Sequence, residues 1–224
     1  MELTIVPVAH LSSKSVELVR ETILAVRPDF IAIELDRSRL EALMTGKRPR
    51  MRDSLRSPFF FMLYLLQQAL GRVFAIKPGS EQLEAVKLAR EHKITLVLID
   101  ITGQQIAMGF KRIPFKEKLG LFLEAPKSLF RPKKKFDMDK ITSEEFLEKF
   151  MAEFKEKFPV TYDTIVTQRN EHMARALMQL DLNNPGKKVV AVLGAGHVAG
   201  IRSILEHVEP LQGNVSIKVN VVHT

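Results

Sequence analysis

Four short apolar runs constrain this 224-residue chain more than anything else in it. They are Leu3–Val8, Phe30–Leu35, Ile94–Ile99 and Lys188–Leu193, all rich in Val, Ile and Leu. Each is too short for a helix, and none shows the strict apolar–polar alternation of a sheet with one wet face. Such runs are strands buried on both faces, as in a parallel sheet covered by helices on each side. Helical patterns fall between them. Val16, Val19, Ile23 and Val26 share one face and stop before Pro28; Asp36 is placed to cap a helix over Arg37–Leu43 that ends near Gly46. A Pro78-Gly79-Ser80 turn feeds a helix over Glu81–His92, with Ser80 as its expected cap. Thr142-x-x-Glu145 opens a helix that Pro159 is expected to end; a long helix follows over Tyr162–Leu180, then one over Val198–His207 and a last strand over Val215–Val222. The expected fold is therefore α/β, a mostly parallel central sheet with helices on both faces. One domain over 1–224 is expected, with a basic, proline-broken middle of loops and short helices over about 111–140.

Composition excludes several chemistries. With no cysteine, thiolate metal sites, disulfides and thiol nucleophiles are ruled out. The chain carries no P-loop, HExxH or GxSxG motif. No secretory signal or membrane-spanning run is seen, so a cytoplasmic protein is expected. The apolar run Phe59–Leu66 is read as a buried helix side, with a membrane-surface or dimer contact (a homo-oligomer) as the alternative. The net charge is +8, and Lys111–Lys135 holds most of it, with nine basic residues against Glu117 and Glu124. A solvated loop is one reading of that segment; contact with a membrane surface or an anionic polymer, nucleic acid included, is the other.

In open parallel sheets, sites form at the carboxyl ends of strands. The first strand leads to His10, the second holds Glu34 near its end, the third ends at Asp100 and the fourth leads to His197. Imidazoles and carboxylates meeting there suit a hydrolytic metal site or an acid–base pair without metal. Glu34 stands within an apolar run and needs a cation or a metal beside it. Arg169 is equally out of place, within the stripe Ile165, Met173, Ala176 and Leu180, and pairs naturally with Glu34. An ion pair that only ties helix to sheet is the alternative reading. Gly194-x-Gly196-x-x-x-Gly200 invites a dinucleotide. That reading needs an acidic residue ending the next strand, about 20 residues on; the next strand ends in His223 and Thr224, so neither nicotinamide nor flavin is expected. The glycine turn is read instead as a device exposing the His197 imidazole, with the backbone N–H groups of Gly194 and Gly196 available to an anion.

Several segments, taken in order, carry a family resemblance. They are Val6-Pro7-Val8-Ala9-His10-Leu11-Ser12-x-x-Ser15-Val16, Arg27-Pro28-Asp29-x-Ile31-Ala32-Ile33-Glu34-Leu35-Asp36, Pro78-Gly79-Ser80-Glu81, Arg169-Asn170-x-x-Met173-Ala174 and Val190-Ala191-Val192-Leu193-Gly194-Ala195-Gly196-His197-Val198-x-Gly200-Ile201. Together they resemble the TraB/PrgY/GumN family of pheromone-shutdown proteins. The resemblance implies kinship with the TIKI membrane-tethered metal-dependent peptidases and with erythromycin-esterase-like and ChaN-like folds. It implies a site marked by two G-x-x-H motifs, a glutamate and an arginine. Carried over, His10, Glu34 and His197 would be ligands of a divalent transition metal such as Mn, Co or Zn, with Glu34 and Arg169 catalytic. Gly194, Gly196, Asn170 and Glu81 would bind substrate. The first motif reads Pro7-Val8-Ala9-His10, with proline where the family has glycine, and proline brings no N–H. After the third strand stands Asp100-Ile101-Thr102 instead of an acidic–Arg–acidic run. A metal-dependent hydrolase or peptidase acting on a peptide is the implied function. A non-catalytic peptide-sequestering regulator and an anion-surface binder are the alternatives.

Overall fold

A computed structural model describes residues 1–8, 13–46, 79–121, 144–207 and 217–222. The strands are β1 (Glu2–Val8), β2 (Phe30–Ile33), β3 (Thr95–Leu98), β4 (Lys188–Gly194) and β5 (Lys218–Val221). They form one parallel sheet in the order β3-β2-β4-β1-β5. The central strand β4 is buried from Val189 to Leu193 on both faces, as its unbroken apolar run requires. Side chains alternate between the faces and define two cores. Leu3, Ile5, Ala32, Val189, Ala191 and Leu193 point to one; Val6, Val8, Ile31, Ile33, Val190 and Val192 point to the other.

The helices divide between these faces. Helix α1 (Ser13–Val26) and helix α3 (Ser80–Glu91) cover the second core, through Val19, Ile23, Ala85, Val86, Leu88 and Ala89. Between them comes α2 (Arg37–Thr45), capped by Asp36 and closed by Gly46 at φ +64°, as its sequence prescribes. The cap of α3 differs from expectation. Gly79 holds that position with φ +90°, and Ser80 is already helical, its hydroxyl donating to Glu81 Oε2.

After β3 come α4 (Gly103–Arg112), residues 115–121 in a further helix, α5 (Glu144–Lys157), α6 (Pro159–Tyr162), a π-helical turn (Asp163–Thr167) and α7 (Gln168–Asn183). Pro159 does not simply end a helix; it opens α6 at the first turn, where its missing N–H costs nothing. The π turn adds a residue and rotates α7 relative to α6. The buried stripe runs through Val166, Asn170, Met173, Ala174 and Leu177, not through Ile165 and Arg169 as the 3.6-residue count suggests. Helix α8 (Ala195–His207) joins α7 over the first core through Ile201. The expected strand at Val215–Val222 is shorter in the structure, at Lys218–Val221.

Crossovers from β1 and from β4 leave in opposite directions, toward β2 and toward β5, over opposite faces of the sheet. Neighbouring strands whose connections diverge leave a crevice at their carboxyl ends. The expected helix side Phe59–Leu66, the Thr142 cap and most of the 111–140 basic segment lie outside the described residues.

Candidate functional site

Glu34 is the first residue beyond β2, in phase with Ala32, so it projects toward α7 and α8. Its Oε1 accepts from Arg169 Nη2 and lies 3.3 Å from His197 Nε2. Its Oε2 accepts the Gly194 N–H at 2.6 Å. The carboxylate is thus held at the carboxyl end of the central strand by two donors, Arg169 of α7 and Gly194 of β4, with the His197 ring of α8 beside it. Burial alone would raise its pKa. The bond and charge of His197 when its ring is protonated, the charge of Arg169 and the Gly194 N–H outweigh that and hold the carboxyl well below its ordinary range.

Arg169 lies just beyond the π turn and serves two carboxylates. Besides Glu34, it donates to Asp100 from Nε at 3.1 Å and from Nη2 at 2.7 Å, and Nη1 reaches the Ile165 carbonyl at 3.3 Å. Burial would lower its pKa, yet Asp100 and Glu34 together raise it. Asp100 in turn accepts from Arg39 Nη2 at 2.8 Å and from the Ile101 N–H at 2.8 Å. Arg39 Nε then reaches Asp36 Oδ2 at 2.5 Å, and its Nη2 also meets the Ile101 carbonyl. Asp36 accepts the Ser38 and Arg39 N–H groups of α2 and the Gly103 N–H of α4. Although burial works against it, Ser38 and Arg39 pull the Asp36 carboxyl down to about 2. The result is a ladder of alternating charge, Asp36–Arg39–Asp100–Arg169–Glu34, crossing the carboxyl ends of β3, β2 and β4. Each buried ion has an opposite neighbour on either side or a set of N–H donors, the condition under which buried charge is tolerated.

His197 closes the ladder. It is in the first turn of α8 and 8% exposed, so the Gly194–Gly196 segment does not present an exposed imidazole as expected; α8 has begun at Ala195 and draws the ring inward. Nδ1 lies 2.6 Å from Asn170 Oδ1, buried on α7. With the amide oxygen accepting, Nδ1 carries the proton and Nε2 faces Glu34. The family resemblance casts Asn170 as a substrate contact; in the structure it faces the histidine. Gly200 makes this arrangement fit, because a Cβ there would stand 2.1 Å from Asn170 Nδ2. Gly200→Ala is expected to push the amide off His197 and destabilise the domain by about 1–3 kcal/mol. Chemical denaturation, with the His197 ring signals in a nitrogen–proton NMR spectrum, checks this; unchanged ring signals would show that Asn170 does not depend on Gly200.

Of the other sequence candidates, Glu34, Arg169, Asn170, Gly194 and His197 come together. The Gly194 N–H is spent on Glu34, and the α-carbon of Gly196 faces Met151. Glu81 is fully buried at the start of α3, on the opposite face of the sheet from α7 and α8. His10 lies outside the described residues. Sequence reasoning misses Arg39. Its only signal is position: three residues after a capping aspartate, on the helix that follows β2 beside β3.

The ligand set for a divalent metal can be tested on the residues in hand. Among the described residues no group of three or more His, Asp or Glu is placed to hold an ion. Both oxygens of Glu34 already accept N–H groups, one of them from a guanidinium that would repel a cation. The described residues do not fit a metal by themselves.

A family model described as TraB/PrgY/gumN matches residues 65–211, and the chain belongs to that family. An uncharacterized protein of Methanocaldococcus jannaschii is 33% identical over 223 residues, covering 93% of this chain and 54% of that one. The TraB domain-containing proteins of mouse and human are 29% and 28% identical, over 88% of this chain and 61% of theirs. The chain thus spans little more than half the length of these relatives. A solved structure described as cofacial heme binding to ChaN of Campylobacter jejuni aligns over 100% of this chain and 81% of that one, at 10% identity and a TM-score of 0.45.

Proposed function

We propose that this TraB-family domain hydrolyses a peptide bond, with His197 handling the proton and Glu34 holding it in charge balance. The observation that carries the reading is the placement of one imidazole between an orienting amide and a carboxylate, 2.6 Å from Asn170 Oδ1 and 3.3 Å from Glu34 Oε1. That is the arrangement of a general base whose tautomer is fixed from behind. Nε2 takes a proton from a water at the crevice edge and returns it to the leaving amine. Glu34 stabilises the imidazolium formed in between, and Arg169 keeps Glu34 ionised and in place. The peptide substrate rests on the family resemblance.

Wild-type protein incubated with a defined peptide mixture should release new termini detectable by mass spectrometry. His197→Ala and Glu34→Gln should each lower the rate by about 100-fold or more, the usual range for losing an acid–base group. Activity that survives chelation assigns the proton to His197 alone. Activity lost to chelation and restored by Mn, Co or Zn keeps hydrolysis but gives both side chains to the ion. Peptide affinity without cleavage overturns the reading in favour of a sequestering protein.

A further inference from the structure

We propose that the helical corner formed by α4 and residues 115–121 is a contact surface for an anionic lipid bilayer. Its inner side is fixed by two close approaches. A Cβ at Gly109 would stand 2.6 Å from Thr164 Cγ2, and one at Gly120 would stand 2.8 Å from the Phe158 ring. The corner is therefore seated tightly on residues 158–164, and Ile113 at its bend is buried. Away from those contacts the corner carries exposed large apolar groups. Phe115 is 78% exposed, Met108 50% and Leu119 44%. Phe115 and Leu119 lie one helical turn apart and share a face.

Cations lie among these residues in the chain. Lys111, Arg112 and Lys116 are exposed, and Lys118 lies over the Phe110 ring at 4.8 Å from its centroid. The single acid between positions 103 and 121 is Glu117. Its carboxylate is turned inward, accepting from the Val160 N–H at 3.1 Å, the Thr161 N–H at 2.8 Å and the Thr161 hydroxyl at 2.7 Å. The corner thus offers three exposed large apolar side chains and three exposed cations, and its one acid is turned inward. Apolar side chains that enter the interface, flanked by cations that meet lipid phosphates, make a protein lie on a membrane without spanning it. Among the described residues no helix is long and apolar enough to span. A nucleic acid would meet the same cations, but Met108 and Leu119 neither stack on a base nor reach a phosphate, so the aliphatic share favours lipid.

The test is co-sedimentation of the full chain with vesicles of phosphatidylcholine alone or mixed equally with phosphatidylglycerol. Wild type should pellet with the mixed vesicles only, and less at high salt. Replacing Lys111, Arg112 and Lys116 together by Gln should weaken binding about 100-fold, near fivefold for each cation. Phe115→Ser with Leu119→Ser should weaken it at least tenfold at constant charge. All five positions are on the surface, so circular dichroism should be unchanged. The basic run from Lys127 to Lys135 is left intact in both variants. Wild-type pelleting that neither variant reduces would overturn the proposal, as would pelleting with neither vesicle. Salt-sensitive binding to a DNA or RNA duplex that the serine pair leaves intact, without vesicle binding, would overturn it in favour of a nucleic-acid surface.

Discussion

Arg169→Met is expected to destabilise the domain by about 3–5 kcal/mol, the cost of leaving a buried charge without its partner. The substitution keeps most of the side-chain volume but leaves Glu34 and Asp100 facing each other at a nearly dry edge. Both rely on the same guanidinium nitrogen, which reaches Asp100 Oδ2 at 2.7 Å. For a chain of this size a loss of 1 kcal/mol lowers Tm by roughly 2–4 °C, so a fall of about 10 °C follows. Arg169→Lys should land between, because one ammonium cannot fork to two carboxylates. Adding Glu34→Gln and Asp100→Asn to Arg169→Met should recover much of the loss, since no buried charge would then be stranded. Thermal melts followed by circular dichroism decide it. A Tm within about 2 °C of wild type, the shift expected from less than 1 kcal/mol, would show that these carboxylates do not depend on Arg169.

Acid should dismantle the same ladder, and the sign follows from the direction of the shifts. Glu34 and Asp36 have lower pKa values folded than unfolded, where 4.5 and 3.8 apply. Their contribution to stability is complete above about pH 5 and is lost as pH falls, because the unfolded chain binds protons first. For Asp36 the loss runs from about 4 down to about 2; for Glu34 it starts higher and continues through the same window. The urea midpoint should therefore drop steeply below about pH 4.5. The curve for Glu34→Gln should be flatter there, since that variant has one carboxylate fewer to protonate. Parallel curves for the two proteins would mean that Glu34 is not held ionised by its neighbours.

The sheet is readable from sequence because both faces of its strands are dry. Four apolar runs announce four strands, and the ends shift by only one or two residues, as at β3, which is Thr95–Leu98 within the expected Ile94–Ile99. The Asp36 cap and the Gly46 stop are legible because each is a local preference that no tertiary contact opposes. Strand order is not legible, since apolar runs carry no register. The site is legible where a charge stands among apolar neighbours, which is why Glu34 and Arg169 can be paired from sequence. It is illegible where a polar residue has an innocent local explanation. Arg39 reads as an ordinary surface residue of a short helix, and only the spatial adjacency of β2 and β3 brings it to Asp100. The inward turn of His197 escapes notice because a glycine pair suggests a loop, whereas α8 starts between the two glycines. The π turn leaves no mark in the sequence; it buries Val166 in place of Ile165, while Met173, Ala176 and Leu180 pack on the core as read.

The middle position in the sheet belongs to β4, which begins at Lys188, after β1, β2 and β3, and is inserted between β1 and β2. During synthesis the first three strands therefore emerge while the strand that joins β1 to β2 is still missing. Such distant pairing makes folding slow and leaves unpaired strand edges for chaperones to guard. The donor from Gly194 and the imidazole of His197 arrive on that same stretch. A nascent chain not yet extended to β4 thus holds Glu34 without its companions, and any chemistry at this edge is withheld until that strand and the start of α8 have been made.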